Sequence, residues 1–339
     1  MTQVPDVVRF DQDLTPQDRA RVTSSLARLE VPSDFDEVRI ARLPGGASNN
    51  NYRVAAIQRT AVLRVAAPDA GRFGIDRGAG LAAHRLVAAA GIAPDLIAEH
   101  LPSGDCLTPF LPGRTVDAEL LGQPGVLNAC IDLLRRTHAT RSADLAGCGR
   151  FSGSRDIRAY VDTARSEGLE LPSDIDAMVE ASIRVDPVGM PFGARLAHND
   201  VQLANFLRDD SGRMWLLDWE YAGVGNVYFD LAMLASNADM SAEQREDLLA
   251  AYFAPAGPVR ECDRHRLRAM VFLSALREAM WSVVAGPVMA DTGWDYHAWA
   301  QRFFEKVRDE LTRHGADGLA RDAGHAKDDD RVAALLFGE

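Results

Sequence analysis

The 339-residue sequence predicts an α+β chain of two lobes, a small β-rich N-terminal lobe over residues 1–110 and a larger, mainly helical C-terminal lobe over residues 111–339. Two observations carry that prediction. Short β-like runs bounded by glycine- and proline-bearing turns crowd the first third of the chain. Beyond residue 125, segments with apolar residues at helical spacing dominate, interrupted by one hairpin-like stretch. A chain of this length suits two domains or one bilobal unit, with a core large enough to enclose a cleft.

Residues 15–30 open on TPQD, with Thr15 as N-cap and Pro16 at the first helical position, and read as an amphipathic helix. Three β-like runs follow: EVRIARL (37–43), NYRVAAI (51–57) and TAVLRVA (60–66). The turn PGGASNN separates the first two, and QR makes a tight hairpin connection between the second and third. IDRGAGLAAHRLVAAAG (75–91) has helical periodicity and stops at Gly91, and PDLIAEH and DCLTPFL read as two more strands. After LPGRT (111–115), helices are expected over 125–141, about 156–168 and 174–184. A strand FLRDD, a turn at Gly212 and a strand RMWLLDW come next, placing Asp218 at a strand end. From Asp230 the chain reads as helix through FDLAMLAS, SAEQREDLLAAYF, DRHRLRAMVFLSALREAMWSVVAG and YHAWAQRFFEKVRDELTRH. The tail from about residue 315 is polar, carries a KDDD cluster and is expected to be mobile.

Composition narrows the function. With 47% hydrophobic and 25% charged residues the chain is ordinary globular protein. No run of 18 apolar residues occurs, so no membrane span is expected, and MTQVPDVVRFDQD lacks the basic and apolar regions of a secretory signal. The cysteines Cys106, Cys130, Cys148 and Cys262 show neither metal spacing nor a disulfide framework, which points to reduced thiols and a cytoplasmic location. A net charge of −12 argues against a nucleic-acid partner and is compatible with a cationic small substrate. Oligomeric state, a homodimer included, is left open. The only lysines are Lys306 and Lys327, which excludes an N-terminal phosphate loop built on lysine.

The strongest signal is LAHNDVQLANFLRDDSGRMWLLDWEYAG, residues 196–223. His198, Asp200 and Asn205 stand in H-x-D-x-x-x-x-N spacing, that of a catalytic loop in which the aspartate accepts a hydroxyl proton and the asparagine holds a metal. Asp218 follows thirteen residues after Asn205. Magnesium favours one or two carboxylates together with phosphate and water oxygens. Asn205 and Asp218 are therefore expected to hold Mg2+ against the phosphates of ATP, Glu220 to reach a second ion, and His198 to brace the loop. Either aspartate alone is an ordinary loop acid; the pair, the asparagine and the hairpin between them single this stretch out.

On these residues the chain resembles the aminoglycoside phosphotransferase/choline kinase superfamily, whose fold is similar to that of protein kinases. HNDVQLANFL and LLDWEYAG are most similar to the choline/ethanolamine kinase branch, which typically reads H-N-D-x-Q-x-x-N and then D-[FW]-E-Y. The resemblance extends from about Leu43 to about Phe304 and includes GGASNNNYRV, VLRV, IDR, GIAP, FDLA and LREAMW. It implies a bilobal, protein-kinase-like, ATP- and Mg2+-dependent kinase that phosphorylates a hydroxyl group, with choline or ethanolamine as the small amino-alcohol substrate. Thiamine or an aminoglycoside as acceptor, or a catalytically impaired pseudokinase, are the alternatives. The resemblance also implies Gln202 near the phosphates and substrate. Gly46, Ser48, Asn49 and Arg64 would hold phosphate, the arginine standing where kinases place a lysine. Tyr221, Trp281 and Tyr296 would face the acceptor cation, with Glu278 and Asp230 lending negative charge. Trp219, Trp294 and Trp299 are further aromatic candidates, though aromatics at helical spacing more often fill cores.

One position departs from the pattern. Where the family reads I-[DN]-R-x-x-E, with a glutamate to pair with the phosphate-binding cation, this chain reads Ile75-Asp76-Arg77-Gly78-Ala79-Gly80. Two glycines also weaken that helix by roughly 1 kcal/mol each against alanine. A pair of charges near 4 Å is worth up to about 4 kcal/mol at an effective dielectric of 20. Losing part of that slows catalysis by roughly tenfold to a thousandfold, unless Asp76 or another acid takes the glutamate's place.

Overall fold

The structure, a computed structural model, describes residues 5, 7–43, 50–66, 69–140, 144–186, 195–289 and 294–324. The turn with Gly46, Ser48 and Asn49 lies outside the described residues, as does the KDDD cluster of the tail.

The first part of the chain builds a six-stranded sheet. Its strands are β1 (Val7–Phe10), β2 (Glu37–Arg42), β3 (Asn50–Ala55), β4 (Thr60–Val65), β5 (Ala98–His100) and β6 (Asp105–Pro109), in the order β1-β2-β3-β4-β6-β5. All neighbours are antiparallel except β1, which runs parallel to β2. Helix α1 (Pro16–Leu29) covers one face. It starts at Thr15 through a reciprocal box, in which the Asp18 amide donates to the Thr15 hydroxyl (3.1 Å) and the Thr15 amide donates to the Asp18 carboxylate (3.2 Å). Val22, Leu26 and Leu29 of α1 meet Val38, Ile40, Val54, Leu63 and Leu107 of the sheet in a closed apolar cluster. Period-two alternation puts Leu63 and Val65 in that core and turns Arg64 to the opposite face.

A second, larger core begins with α2 (Arg77–Ala89), whose Ala83 and Val87 pack with residues from the rest of the chain. Asp76 caps α2 by accepting from the Ala79 amide at 3.0 Å. There follow β7 (Gly113–Thr115), α3 (Ala118–Leu121), α4 (Val126–His138), β8 (Gly149–Arg150), α5 (Gly153–Ser166), α6 (Ile175–Val185), β9 (Arg195–Ala197), β10 (Phe206–Asp209), β11 (Met214–Leu216) and β12 (Gly223–Gly225). The chain continues with α7 (Val227–Asn237), α8 (Ala242–Phe253), α9 (Glu261–Ala285) and α10 (Tyr296–Ala323). The short strands form two three-stranded sheets, β11-β10-β7 and β8-β12-β9, which hold the site segments. Helix α7 is apolar nearly all round, and it and most of α9 lie buried.

Three expectations need correction. RMWLLDW is strand only over Met214–Leu216, so Asp218 stands beyond the strand end, at φ +63°. PDLIAEH is strand only over Ala98–His100. Residues 315–323 are helical rather than tail-like, with α10 bending at Gly315 (φ +65°) and ending at Ala323.

Candidate active site

The segment from His198 to Asn205 leaves β9 and closes in a single 3₁₀ turn, Leu203–Asn205. Its backbone is fastened from below by Asp230 in the first turn of α7. The Asn199 amide donates to Asp230 Oδ1 and the His198 amide to Oδ2, both at 2.8 Å. His138, at the end of α4, adds a 2.9 Å contact to Oδ2, and its other ring nitrogen meets the Tyr252 hydroxyl at 2.8 Å. Asp230, His138 and Tyr252 are all fully buried. A buried carboxylate costs several kcal/mol unless hydrogen bonds satisfy its lone pairs, and here they do. Asp230, expected to lend charge to the acceptor pocket, is instead the brace of the loop.

That brace lets Asn199 adopt a left-handed backbone, φ +61°, a conformation asparagine tolerates. Its amide group ties to the Ala197 and Tyr221 carbonyls at 3.2 and 3.1 Å. Gly225 lies against it: a Cβ there would stand 2.6 Å from Asn199 Oδ1, so only glycine fits.

His198 links the loop to the hairpin beyond it. Nε2 faces the Leu217 carbonyl at 2.8 Å, while Nδ1 accepts from the Asp200 amide at 3.2 Å. The two partners fix a neutral ring protonated on Nε2, and burial, the largest influence, holds its pKa below the usual histidine value. Asn205 donates Nδ2 to the Asp200 carbonyl at 2.9 Å, leaving Oδ1 as an oxygen donor. Its carbonyl accepts from the Leu217 amide at 2.8 Å, which places Asp218 one residue from Asn205 across the hairpin. Oxygen donors from an amide and a carboxylate, with Glu220 close by, are the chemistry a magnesium ion takes. The residues thus fit the ion that the sequence implies.

Asp200 itself is mostly shielded, its side chain 16% exposed. Burial pushes its pKa well above the ordinary carboxylate value; Arg277 opposes that, and the nearby Glu278, Asp218 and Glu220 reinforce it. A carboxyl poised closer to neutrality is suited to taking a proton from an alcohol.

Arg64 reaches this group from β4. Its Nη1 donates to Asp218 Oδ1 at 2.7 Å. Burial favours the neutral form, but Cys106, Asp218 and Glu220 overcome it, so the guanidinium is held firmly charged. The partner that α2 does not supply at Gly80 is therefore found in Asp218, and Asp76, occupied in capping α2, does not substitute. Gly80 serves another purpose. A Cβ on it would lie 3.1 Å from both Glu220 Cα and the Trp219 carbonyl oxygen, and 3.2 Å from the Glu220 carbonyl oxygen. Helix α2 thus packs backbone to backbone against the Asp218–Glu220 segment.

Helix α9 contributes Arg277, Glu278 and Trp281 to the same neighbourhood. Glu278 Oε1 accepts from Gln202 Nε2 (3.1 Å) and from Trp299 Nε1 (3.0 Å), connecting the His198–Asn205 loop to α10. Arg277 is 1% exposed; its Nη1 is 3.7 Å from Asp200 Oδ1, and its guanidinium lies 4.2 Å over the Tyr221 ring. Trp281 donates to the Tyr221 hydroxyl at 3.1 Å and packs between Phe73 and Tyr296, centroids 5.9 and 6.0 Å away. Trp219 is core, and Trp294 is 52% exposed.

The structure therefore brings Asp200, Gln202, Asn205, Arg64, Asp218 and Glu278 into one connected set of contacts, with Glu220 close enough to act electrostatically on Asp200 and Arg64 and with Tyr221, Trp281 and Tyr296 packed behind it. Arg277 and His138 escaped the sequence reading. Arg277 had a signal, since it precedes Glu278 in LREAMW; His138 had none beyond lying in a helix.

Comparison with known proteins gives a family. The model of the phosphotransferase enzyme family matches residues 39–268. Among curated proteins, the chain is similar to protein LicA of Haemophilus influenzae, 25% identical over 153 residues that make up 44% of each chain. The chain thus spans about half the length of the curated relatives it matches first. Among solved structures, a choline/ethanolamine kinase family protein from Mesorhizobium loti superposes with a TM-score of 0.68 at 23% identity, over 91% of this chain and 98% of the other. Choline kinase LicA from Streptococcus pneumoniae gives 0.65 at 18%, over 81% and 93%. The sheet-bearing N-terminal part and helical C-terminal part are those of the protein-kinase-like choline kinase fold.

Proposed function

This chain belongs to the phosphotransferase enzyme family, and from that footing we propose that it transfers the γ-phosphoryl group of ATP to the hydroxyl of a small amino alcohol of the choline/ethanolamine class. The observation that carries the reading is the convergence of Asp200, Asn205 and Asp218, tied together by the Asn205–Asp200 bond (2.9 Å) and the Leu217–Asn205 bond (2.8 Å).

Asp200 accepts the hydroxyl proton as the acceptor oxygen attacks the terminal phosphorus, ADP departs, and the phosphoester forms. Asn205 and Asp218, with Glu220 near, are the residues that would hold Mg2+, whose charge would offset that building on the phosphate oxygens. Arg64, whose Nη1 donates to Asp218 Oδ1 at 2.7 Å, has further guanidinium donors that would meet the phosphates. Gly46, Ser48 and Asn49, which lie outside the described residues, would complete the phosphate side. The adenine lies against the connector at residues 109–113, where the Phe110 amide is already committed to Thr60 and the Pro112 carbonyl to Asp210, both at 3.0 Å. Gln202 and Glu278 face the acceptor.

No helix among the described residues is long and apolar enough to cross a membrane, and a cytoplasmic setting supplies the ATP this reaction needs. A coupled assay for ADP release with Mg·ATP and a panel of amino alcohols, thiamine and aminoglycosides tests the proposal. Turnover confined to amino alcohols supports it; turnover confined to another acceptor, or nucleotide binding with no turnover on any of them, overturns it.

A further inference from the structure

Except for Trp294, which is 52% exposed with its ring centroid 5.2 Å from that of Trp299, the aromatic rings expected to face a quaternary ammonium are covered by the protein's own groups. Arg277 lies 4.2 Å over Tyr221, and Arg302 lies 4.6 Å over Trp299. Trp281 is 9% exposed, Tyr296 5% and Trp219 1%. A cation without N–H donors is held by open aromatic faces, and none of these covered rings offers one. Arg277 does more than cover a ring: its Nε and Nη2 are sealed in without a hydrogen-bond partner, so a buried positive charge stands on the Tyr221 side.

Glu278 presents the opposite chemistry. Both of its hydrogen bonds, from Gln202 and Trp299, converge on Oε1. Among the described residues Oε2 makes none, and it is not one of the sealed, unpartnered atoms. An ionised carboxylate has about four acceptor positions, so Glu278 retains capacity for N–H donors. Gln202, two residues beyond Asp200, holds it next to the catalytic loop.

Resting on the kinase reading above, we propose that the acceptor is an amino alcohol whose ammonium keeps at least one N–H, recognised through N–H hydrogen bonds to Glu278, and that Arg277 and Arg302 close the aromatic faces a quaternary ammonium requires. Ethanolamine-type acceptors are thus preferred to choline.

The test is kcat/KM at saturating Mg·ATP along the series ethanolamine, N-methylethanolamine, N,N-dimethylethanolamine and choline. The worth of one hydrogen bond to a charged group predicts a fall of roughly tenfold to a hundredfold between the last compound that has an N–H and choline, which has none. Choline turned over as well as or better than ethanolamine overturns this inference while leaving the kinase reading in place. No turnover of any of the four overturns both. Glu278→Gln, checked for folding by circular dichroism, separates the role of the carboxylate. Its KM for ethanolamine should rise about tenfold more than its KM for choline; an equal loss on both substrates counts against the assignment.

Discussion

Replacing Gly80 by alanine tests whether the site has been built around the absence of a side chain. Two effects oppose each other. Alanine in a helix interior gains up to about 1 kcal/mol over glycine. Against that, the new methyl meets Glu220 Cα and the Trp219 and Glu220 carbonyl oxygens at 3.1–3.2 Å, all of them backbone atoms that no rotamer change can move aside. Overpacking of that kind costs roughly 1–3 kcal/mol. The net expectation is a loss of about 1 kcal/mol, read as a fall of a few degrees in the melting temperature. The second readout is kinetic. The segment that must yield by a few tenths of an ångström adjoins Asp218, so kcat should fall about tenfold and the Mg2+ concentration for half-maximal rate should rise. Both follow from thermal melts and from ADP release at varied Mg2+. Gly80→Glu should be worse on both counts. An alanine variant that gains stability with unchanged kcat would refute the backbone-to-backbone packing. A glutamate variant faster than the parent would show that Arg64 wants a partner from α2.

Three further outcomes follow from the same geometry. Asp200→Asn should lower kcat by roughly a hundredfold to ten-thousandfold with nucleotide affinity kept. Because Asp200 must be deprotonated to act and its pKa is raised by burial, the parent's kcat should fall on acidification at a pH above that of an ordinary aspartate, a limb missing from the variant's pH profile. Asp230→Asn should cost about 3–5 kcal/mol in urea unfolding, since an amide cannot accept from two backbone amides and His138 together; a loss under about 1 kcal/mol contradicts the brace. His84, buried and bonded to the Pro94 carbonyl at 2.8 Å, has its pKa pushed down to about 4 by burial against 6.5 in the unfolded chain. Its contribution is complete above 6.5 and is lost as pH falls toward 4, because the unfolded chain takes the proton first. The loss amounts to roughly 3 kcal/mol, and His84→Gln should flatten stability over that window.

Much of this was legible from residues alone. Helix starts at Thr15 and at the periodic runs of α4 to α10 follow from local chemistry that needs no tertiary partner. The spacing of Asp200, Asn205 and Asp218 survives folding because a loop and a hairpin are short-range structures. What escaped was long-range. β1 is four residues whose pairing partner lies about thirty positions on. The strands β8, β9 and β12 are two or three residues each, too short for any periodicity. Asp230 and an unremarkable His138 meet 92 residues apart, and nothing in either segment announces it. The partner of Arg64 is 154 residues away, and the gap at Gly80 gave no sign that backbone would fill it.

The central claim is that Asn205 and Asp218 share one divalent ion at the nucleotide's phosphates. Electron paramagnetic resonance of Mn2+, titrated into the protein with and without a non-hydrolysable ATP analogue, tests it directly. The parent should show tight Mn2+ binding that depends on the nucleotide, and both Asp218→Asn and Asn205→Ala should weaken it at least tenfold, the scale of one lost ligand. Nucleotide-dependent Mn2+ binding that is unchanged in both variants would contradict the account.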